Sequence, residues 1–324
     1  VPGFAFCAIV AAVAFVLGRA FPLVGGPVLG IVFGIVAAPL IRRAGLRERL
    51  APGIRFSSKT VLQTAIVLLG ATLDIGSIAR VSSGTLPVML GTFAICLAWA
   101  WLIGAALRLP ETIALLIGVG TAICGASAIA AVSAVIEADQ SDIAYAISTI
   151  FLFNVIAVLV FPPIGHLLGF SQHAFGLWAG TAINDTSSVV AAGYVYGPQA
   201  GDQAVIVKLT RTLLIVPIVA VLTFQRLRRE RVSGVRWGAI VPWFILWFLG
   251  AALVNSAGLI PAAFHPAIAA TANYLIVVAL VGVGLAFDLA QIRRAGLRPV
   301  LLGGILWVII ATSSVLLQRV TTRF

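Results

Sequence analysis

The stretch WAGTAINDTSSVVAAG sets Thr181, Asn184, Asp185, Thr186, Ser187 and Ser188 close together between apolar flanks. These residues offer carboxylate, amide and hydroxyl oxygens, a set suited to holding a desolvated ion. The nucleophiles have no histidine or metal partner nearby in sequence, which argues against covalent catalysis. A weaker version stands earlier in GVGTAICGASAIAAVSAVI, with Thr121, Cys124, Gly125, Ser127 and Ser133. Both share Gly-Thr-Ala-Ile, then a Ser and a small apolar tail. An apolar helix interrupted in this way is expected either to unwind halfway or to fold as a re-entrant hairpin, and the spacing does not choose between them. Either form exposes backbone N–H groups at one half and carbonyls at the other. Helix N-termini favour anions, whereas free carbonyls with Asn and Asp oxygens favour small cations.

A lone carboxylate at mid-membrane costs on the order of several kcal/mol, so Asp185 needs a partner. The next run, AVIVKLTRTLLIVP, supplies Lys208 and Arg211, three residues apart and therefore on one helix face. Two cations against one carboxylate leave a positive surplus that suits an anionic substrate, and a breakable Lys–Asp pair offers proton coupling. The bland alternative is that both cations snorkel to an interface while the hydroxyls bond their own helices. An Asn-Asp pair followed by three hydroxyls, echoed in the earlier run, decides for a site. Asn154 in IFLFNVIAVLV is read as support for that core or as interhelical glue. Asp74 and Asp288 read as cap or interface residues. Lys59 reads as anchoring a helix start at the headgroups. Glu137, Asp139 and Asp142 read as a solvated acidic turn, and Pro162-Pro163 as a kink or span end.

The elements that carry these residues follow from composition. Only 10% of the 324 residues are charged while 61% are hydrophobic, and mean hydropathy is +1.14. That balance indicates an all-α polytopic membrane protein rather than a water-soluble domain. About eleven apolar segments are expected, over 3–18, 22–41, 58–78, 84–107, 110–136, 142–168, 172–197, 203–224, 236–256, 265–290 and 297–318. The first reads as a span rather than a cleaved signal. With one crossing per segment, Arg42, Arg43, Arg47, Arg49, Arg55, Arg108, Arg226, Arg228, Arg229, Arg231, Arg236, Arg293, Arg294 and Arg298 share the N-terminal side. Arg19, Arg80, Arg319 and Arg323 face the other. The positive-inside rule then puts the N-terminus in the cytoplasm. Topology thus accounts for the net charge of +11, and no nucleic-acid partner is expected.

LLGATLDIGSIARVSSGTLPVMLG (68–91) also matches LVGVGLAFDLAQIRRAGLRPVLLG (280–303), including a Gly-x-x-Pro pair, and in this topology the copies run in opposite directions. Inverted repeats of this kind mark secondary transporters. Cys7, Cys96 and Cys124 fit no disulfide or metal spacing, and His166, His173 and His265 are scattered, so no metal site and no cofactor are expected. No Walker lysine motif or dinucleotide loop occurs, and the Asn184-Asp185-Thr186 sequon lies where no modifying enzyme reaches.

These motifs, together with GIRFSSKTVLQTAIVLLGATL and VPWFILWFLGAALVNSAGLIPA, resemble the YeiH-like family of bacterial inner-membrane proteins, labelled sulfate exporters. The family is grouped with sodium-proton antiporters and bile-acid symporters. The resemblance implies one transporter domain over residues 1–324, panel segments 22–107 and 236–318, and a core over 110–225 containing the broken segments 110–136 and 172–197. It implies an elevator-like movement of core against panel. Carried over, the substrate or ion site comprises Thr121, Cys124, Gly125, Ser127, Thr181, Asn184, Asp185, Thr186, Ser187, Ser188, Lys208 and Arg211. Segment five has Cys-Gly-Ala and no carboxylate pair, which disfavours sodium-proton exchange. The expected function is export of a small anion such as sulfate, sulfite or an organosulfonate across the cytoplasmic membrane. The alternatives are a sodium- or proton-coupled organic-acid symporter and an anion channel. The expected partners are the anion and the lipid bilayer, with a homodimer as an open assembly and a proton or sodium as the coupling ion.

Overall fold

The protein is described by a computed structural model over residues 2–20, 25–229, 243–286 and 296–321, with the side chains of 19, 20 and 226–229 left aside. Asp288, Arg231, Arg236, Arg293, Arg294 and Arg323 lie outside the described residues, as do the side chains of Arg19, Arg226, Arg228 and Arg229. The described chain is helical, with no strand among those residues.

The first helices are α1 (Pro2–Ala20), α2 (Gly25–Arg43), α3 (Arg47–Phe56) and α4 (Leu62–Gly70), with a π-helical turn over Ser57–Val61 joining the last two. They are followed by α5 (Ile75–Ala106), α6 (Glu111–Ala122), α7 (Ala126–Ile136), α8 (Gln140–Leu167), α9 (Gln172–Ala182) and α10 (Thr186–Tyr196). The chain continues with α11 (Pro198–Thr212), α12 (Ile215–Arg229), α13 (Trp243–Ser256), α14 (His265–Ala286) and α15 (Leu297–Thr321). Six stretches are long and apolar enough to cross a bilayer: Gly25–Arg43, Ile75–Ala106, Gln140–Leu167, Pro198–Gln225, Ala262–Ala286 and Leu297–Thr321. Large apolar side chains such as Trp101, Leu159 and Leu316 stand exposed on these helices, which suits a hydrocarbon surround.

Two expectations about boundaries change. The sequence placed a break over 79–83, but α5 runs through Ser82, Ser83 and Gly84, and the break lies at 71–74. Asp74 decides this locally: its carboxylate accepts from Ser77 N–H at 2.7 Å as an N-cap, and Ser256 Oγ accepts from Ile75 N–H at 2.8 Å. Ser82 stays helical because its hydroxyl pairs with Thr210 at 2.8 Å, and Ser83 donates back to Arg80 O. Lys59 does not start a helix. It sits in the π turn within one helical run from Arg47 to Gly70, where Ser57 Oγ donates to Gly53 O. Pro162 and Pro163 lie within α8, two turns or less from its C-terminus, and Glu137 and Asp139 are exposed.

The packing divides the elements that frame the site. α2 and α14 cross in close contact, since a Cβ on Gly34 would lie 2.9 Å from the Cα of Gly284. α1, α3, α4 and α13 pack around this pair. On the other side α5 and α15 lie together against α6 and α9.

α9 and α10 fold back on each other. Phe175, near the start of α9, stacks on Tyr196 at the end of α10 with ring centroids 3.8 Å apart. Gln172 Oε1 accepts from the N–H groups of Gln199 and Ala200 at 3.0 and 3.2 Å, so the segment returns to where it began. Glycines allow this: Gly176 and Gly180 press on Gln203 and Val207 of α11, and Gly193 presses on Gly201. α7 likewise folds back on α6, with Ile129 against Gly120, a separation that a straight helix would hold at roughly 13 Å. α8 passes both turns: Ile150 contacts Gly120 and Gly125, Asn154 reaches Asp185, and Gly165 contacts Phe175 and Tyr196.

Candidate functional site

The two fold-back turns meet at the centre of the bundle. α6 ends at Ile123, and Gly125 precedes α7 with φ of +68°, a conformation that costs a side-chain-bearing residue strain. A Cβ on Gly125 would stand 3.6 Å from Asp185 Cβ, so the turns are in van der Waals contact. α9 ends at Ile183 in extended backbone, and Asp185 then caps α10, accepting from Ser187 N–H at 2.9 Å and from Ser187 Oγ. Asn154 Oδ1 accepts the Asp185 N–H at 3.1 Å, which ties α8 to the second turn.

Lys208 and Arg211 close the site from α11, and both side chains are fully buried. Lys208 Nζ donates to Ile123 O at 2.7 Å and to Ile183 O at 2.8 Å. Arg211 Nε donates to Ala122 O at 2.5 Å. This corrects the sequence expectation of a Lys208–Asp185 or Arg211–Asp185 pair, because neither cation stands within 4.0 Å ion-pair reach of Asp185 among the described residues. The physical reason is that α6 and α9 end inside the protein, where their last carbonyls have no helical partner and carry the negative end of the helix dipole. Two buried cations are their nearest donors. Asp185 meanwhile faces the positive end of α10 and is satisfied there. The carbonyls that were expected to be open to a small cation are therefore occupied by Lys208 and Arg211.

At the site itself, three buried side-chain atoms lack a partner among the described residues. Arg211 Nη1 and Nη2 have no hydrogen-bond partner, and neither has Asn184 Oδ1, although both residues are buried. A buried guanidinium with two empty donor groups is costly unless an anion or water completes it.

The remaining residues divide into two sets. Ser187, Ser188, Asn184 and Cys124 are buried at the turns, whereas Asp185 and Thr186 are partly exposed and Ser127 is exposed at the start of α7. Thr121 Oγ1 returns to Ile117 O at 2.8 Å, and Ser133 to Ala130 O, so those hydroxyls serve their own helices. Thr181 bonds Leu177 O, but it also contacts Ser314 Oγ at 2.6 Å. Ser314 and its neighbour Gln318 were missed by the sequence reading. The available signal was SSVLLQ within an otherwise apolar run.

A family model described as "Conserved hypothetical protein 698" matches residues 2–303. The chain is 40% identical to a UPF0324 membrane protein of Fusobacterium nucleatum, over 99% of this chain and 98% of the relative. It is also 40% identical to a UPF0324 membrane protein of Streptococcus pyogenes, over 98% of this chain and 96% of the relative. A third such protein, from Streptococcus mutans, is 38% identical over 98% of this chain and 96% of the relative.

Proposed function

The chain belongs to the UPF0324 family of membrane proteins, matched by the conserved hypothetical protein 698 model, and we propose that it is a secondary transporter of a small anion. The carrying observation is Arg211, a fully buried cation with two unpartnered terminal nitrogens beside the meeting point of two helix turns. Charge accounting supports an anion. Two cations face the C-termini of α6 and α9, Asp185 caps α10, and α7 and α10 bring their N-termini. With each helix end worth roughly half a charge, the site retains roughly one positive charge with Asp185 ionised. An oxyanion with paired oxygens fits the planar fork of Arg211, which makes sulfate, sulfite or an organosulfonate the favoured class.

In this reading the site comprises Thr121, Cys124, Gly125, Ser127, Thr181, Asn184, Asp185, Thr186, Ser187, Ser188, Lys208 and Arg211, supported by Asn154. The α6–α7 and α9–α10 turns are re-entrant hairpins within an eleven-segment inverted-repeat architecture, with 68–91 and 280–303 as corresponding copies. Pro87 lies inside α5 and Pro299 in the first turn of α15, so the copies differ in where their helices begin. The core over 110–225 moves elevator-like against a panel of 22–107 and 236–318. The protein sits in the cytoplasmic membrane with its N-terminus inside and exports its substrate, and a homodimer is the proposed assembly.

The test is flux in liposomes. Purified protein is expected to give saturable transport of labelled sulfate or sulfite, and Arg211→Met to lose it while remaining folded by gel filtration. Sodium flux without saturable oxyanion flux would overturn the proposal. A second reading, a sodium- or proton-coupled organic-acid symporter, is favoured by the acceptor oxygens of Asp185 and Asn184 at the second turn. It requires substrate binding to depend on sodium or on a proton, which binding measured with and without sodium and across pH decides.

A further inference from the structure

A line of polar side chains leaves the site along the contact between α9 and α15. Thr181, one turn from Asn184, contacts Ser314 Oγ at 2.6 Å, and Gln318 Nε2 donates to Ser314 Oγ at 3.2 Å. All three side chains are buried. Gln318 also lines an open cleft of about 740 Å³ at the protein surface, together with Ser171, Phe170, Ala174, Val315 and Arg319. Around the file the interface is apolar, with Leu177, Trp178, Ile310 and Ala311 packed along it, and Trp178 Nε1 donates to Ala311 O at 2.9 Å.

Hydroxyls between membrane helices often act only as interhelical glue. Two observations set this file apart. Its outer member opens into the cleft beside the cation Arg319, and its inner member stands one turn before Asn184, whose buried Oδ1 has no hydrogen-bond partner among the described residues. Glue needs neither a cleft at one end nor unmet polar groups at the other. The cleft also adjoins Ser171, the N-cap of α9, whose helix leads to the site.

We propose that Ser314 and Gln318 line the route by which the anion passes between the cleft and the α9–α10 turn, with Arg319 drawing anions to its mouth. This rests on the reading of the turns as an anion site. The contact of Thr181 with Ser314 spans the proposed core and panel, so it parts when the core moves, and an anion oxygen takes the place of each hydroxyl partner in turn. Membrane helices provide few other polar groups at this depth to replace lost hydration, and that need fits a file of two hydroxyls and an amide.

The experiment places Ser314→Cys and Gln318→Cys singly in liposomes and applies membrane-impermeant anionic and cationic methanethiosulfonates from each side. The native thiols Cys7, Cys96 and Cys124 are buried, and the wild-type protein supplies their background. Both new thiols are expected to react from the same single side, with the anionic reagent faster by about tenfold because of the local positive field. Arg319→Gln is expected to remove that preference. Sulfate is expected to slow modification at Ser314→Cys, and modification to stop flux. If neither thiol reacts from either side in folded protein, or if fully modified Ser314→Cys transports at the wild-type rate, the route is wrong. One-sided reaction that blocks transport but is not slowed by sulfate supports the route and refutes the oxyanion assignment instead. Gln318→Leu, with its polar group replaced by one of similar bulk, is expected to cut flux at least tenfold while leaving sulfate affinity unchanged, as required of a path residue. Weaker affinity with unaltered maximal flux would place Gln318 in the binding site and overturn its assignment.

Discussion

Replacing Asp185 with Asn separates the charge of this residue from its structural work. The carboxylate caps α10 through Ser187 N–H, and its own N–H is held by Asn154. Asn caps a helix about as well as Asp, so the loss of stability is expected to stay within about 0.5 kcal/mol, with the dipole term adding at most about 1 kcal/mol. The electrostatic change is larger. A unit charge roughly 8 Å from each negative charge of a bound anion at an effective dielectric near 20 interacts by about 2 kcal/mol, a factor of about 30 in affinity for a monoanion and more for a dianion such as sulfate. Asp185→Asn is therefore expected to bind sulfate about tenfold or more tightly, while turnover falls because the anion no longer leaves. Asp185→Ala should alter binding in the same direction but lose about 1 kcal/mol of capping. Isothermal titration, flux in liposomes and thermal unfolding in detergent measure affinity, turnover and stability. Wild-type affinity and flux in folded Asp185→Asn would remove the carboxylate from the mechanism.

Lys208→Met orphans the carbonyls of Ile123 and Ile183, each worth about 1–3 kcal/mol when buried without a partner, so its melting temperature should fall well below that of Lys208→Arg, which keeps donors. Gly125→Ala forces a side chain into positive φ, at about 1–2 kcal/mol, although its Cβ would meet Ile150 only at 3.4 Å. Lower thermal stability with the mature fold retained is expected, and an unchanged melting temperature would show that the turn relaxes freely. Asp74 tests the cap that starts α5. The Ser77 N–H, with smaller help from Ser256, Ser77 and Arg80, holds this carboxyl below its ordinary range. A lowered carboxylate contributes stability that is present above its unfolded value and lost as pH falls through the folded one, so Asp74→Asn should flatten the acid side of the melting temperature profile. A superimposable profile would dismiss the cap as a source of acid sensitivity.

The places where the chain interrupts its helices were legible in the sequence, because they are local events. ICGAS and INDTS replace large apolar residues by small and hydroxylated ones, and the structure breaks there, between α6 and α7 and between α9 and α10. Asn154 was likewise visible as a polar residue in an apolar run, and it reaches Asp185. The break before α5 was harder to place, since Ser82, Ser83 and Gly84 look like a turn in isolation. A partner on another helix, Thr210, is part of what keeps them helical.

Composition and the lengths of the apolar runs determined the membrane class and the helical character, since a bilayer admits few ways to satisfy a backbone and those ways depend on runs of residue type. Tertiary structure decided who pairs with whom. Lys208 and Arg211 were identifiable as buried cations, but their partners are the last carbonyls of α6 and α9 rather than Asp185. Which orphaned group lies nearest is set by how α11 packs against two folded-back turns, and no local pattern in the chain states that. The same holds for Ser314 and Gln318: each is an ordinary polar residue on one helix until α9 is laid against it.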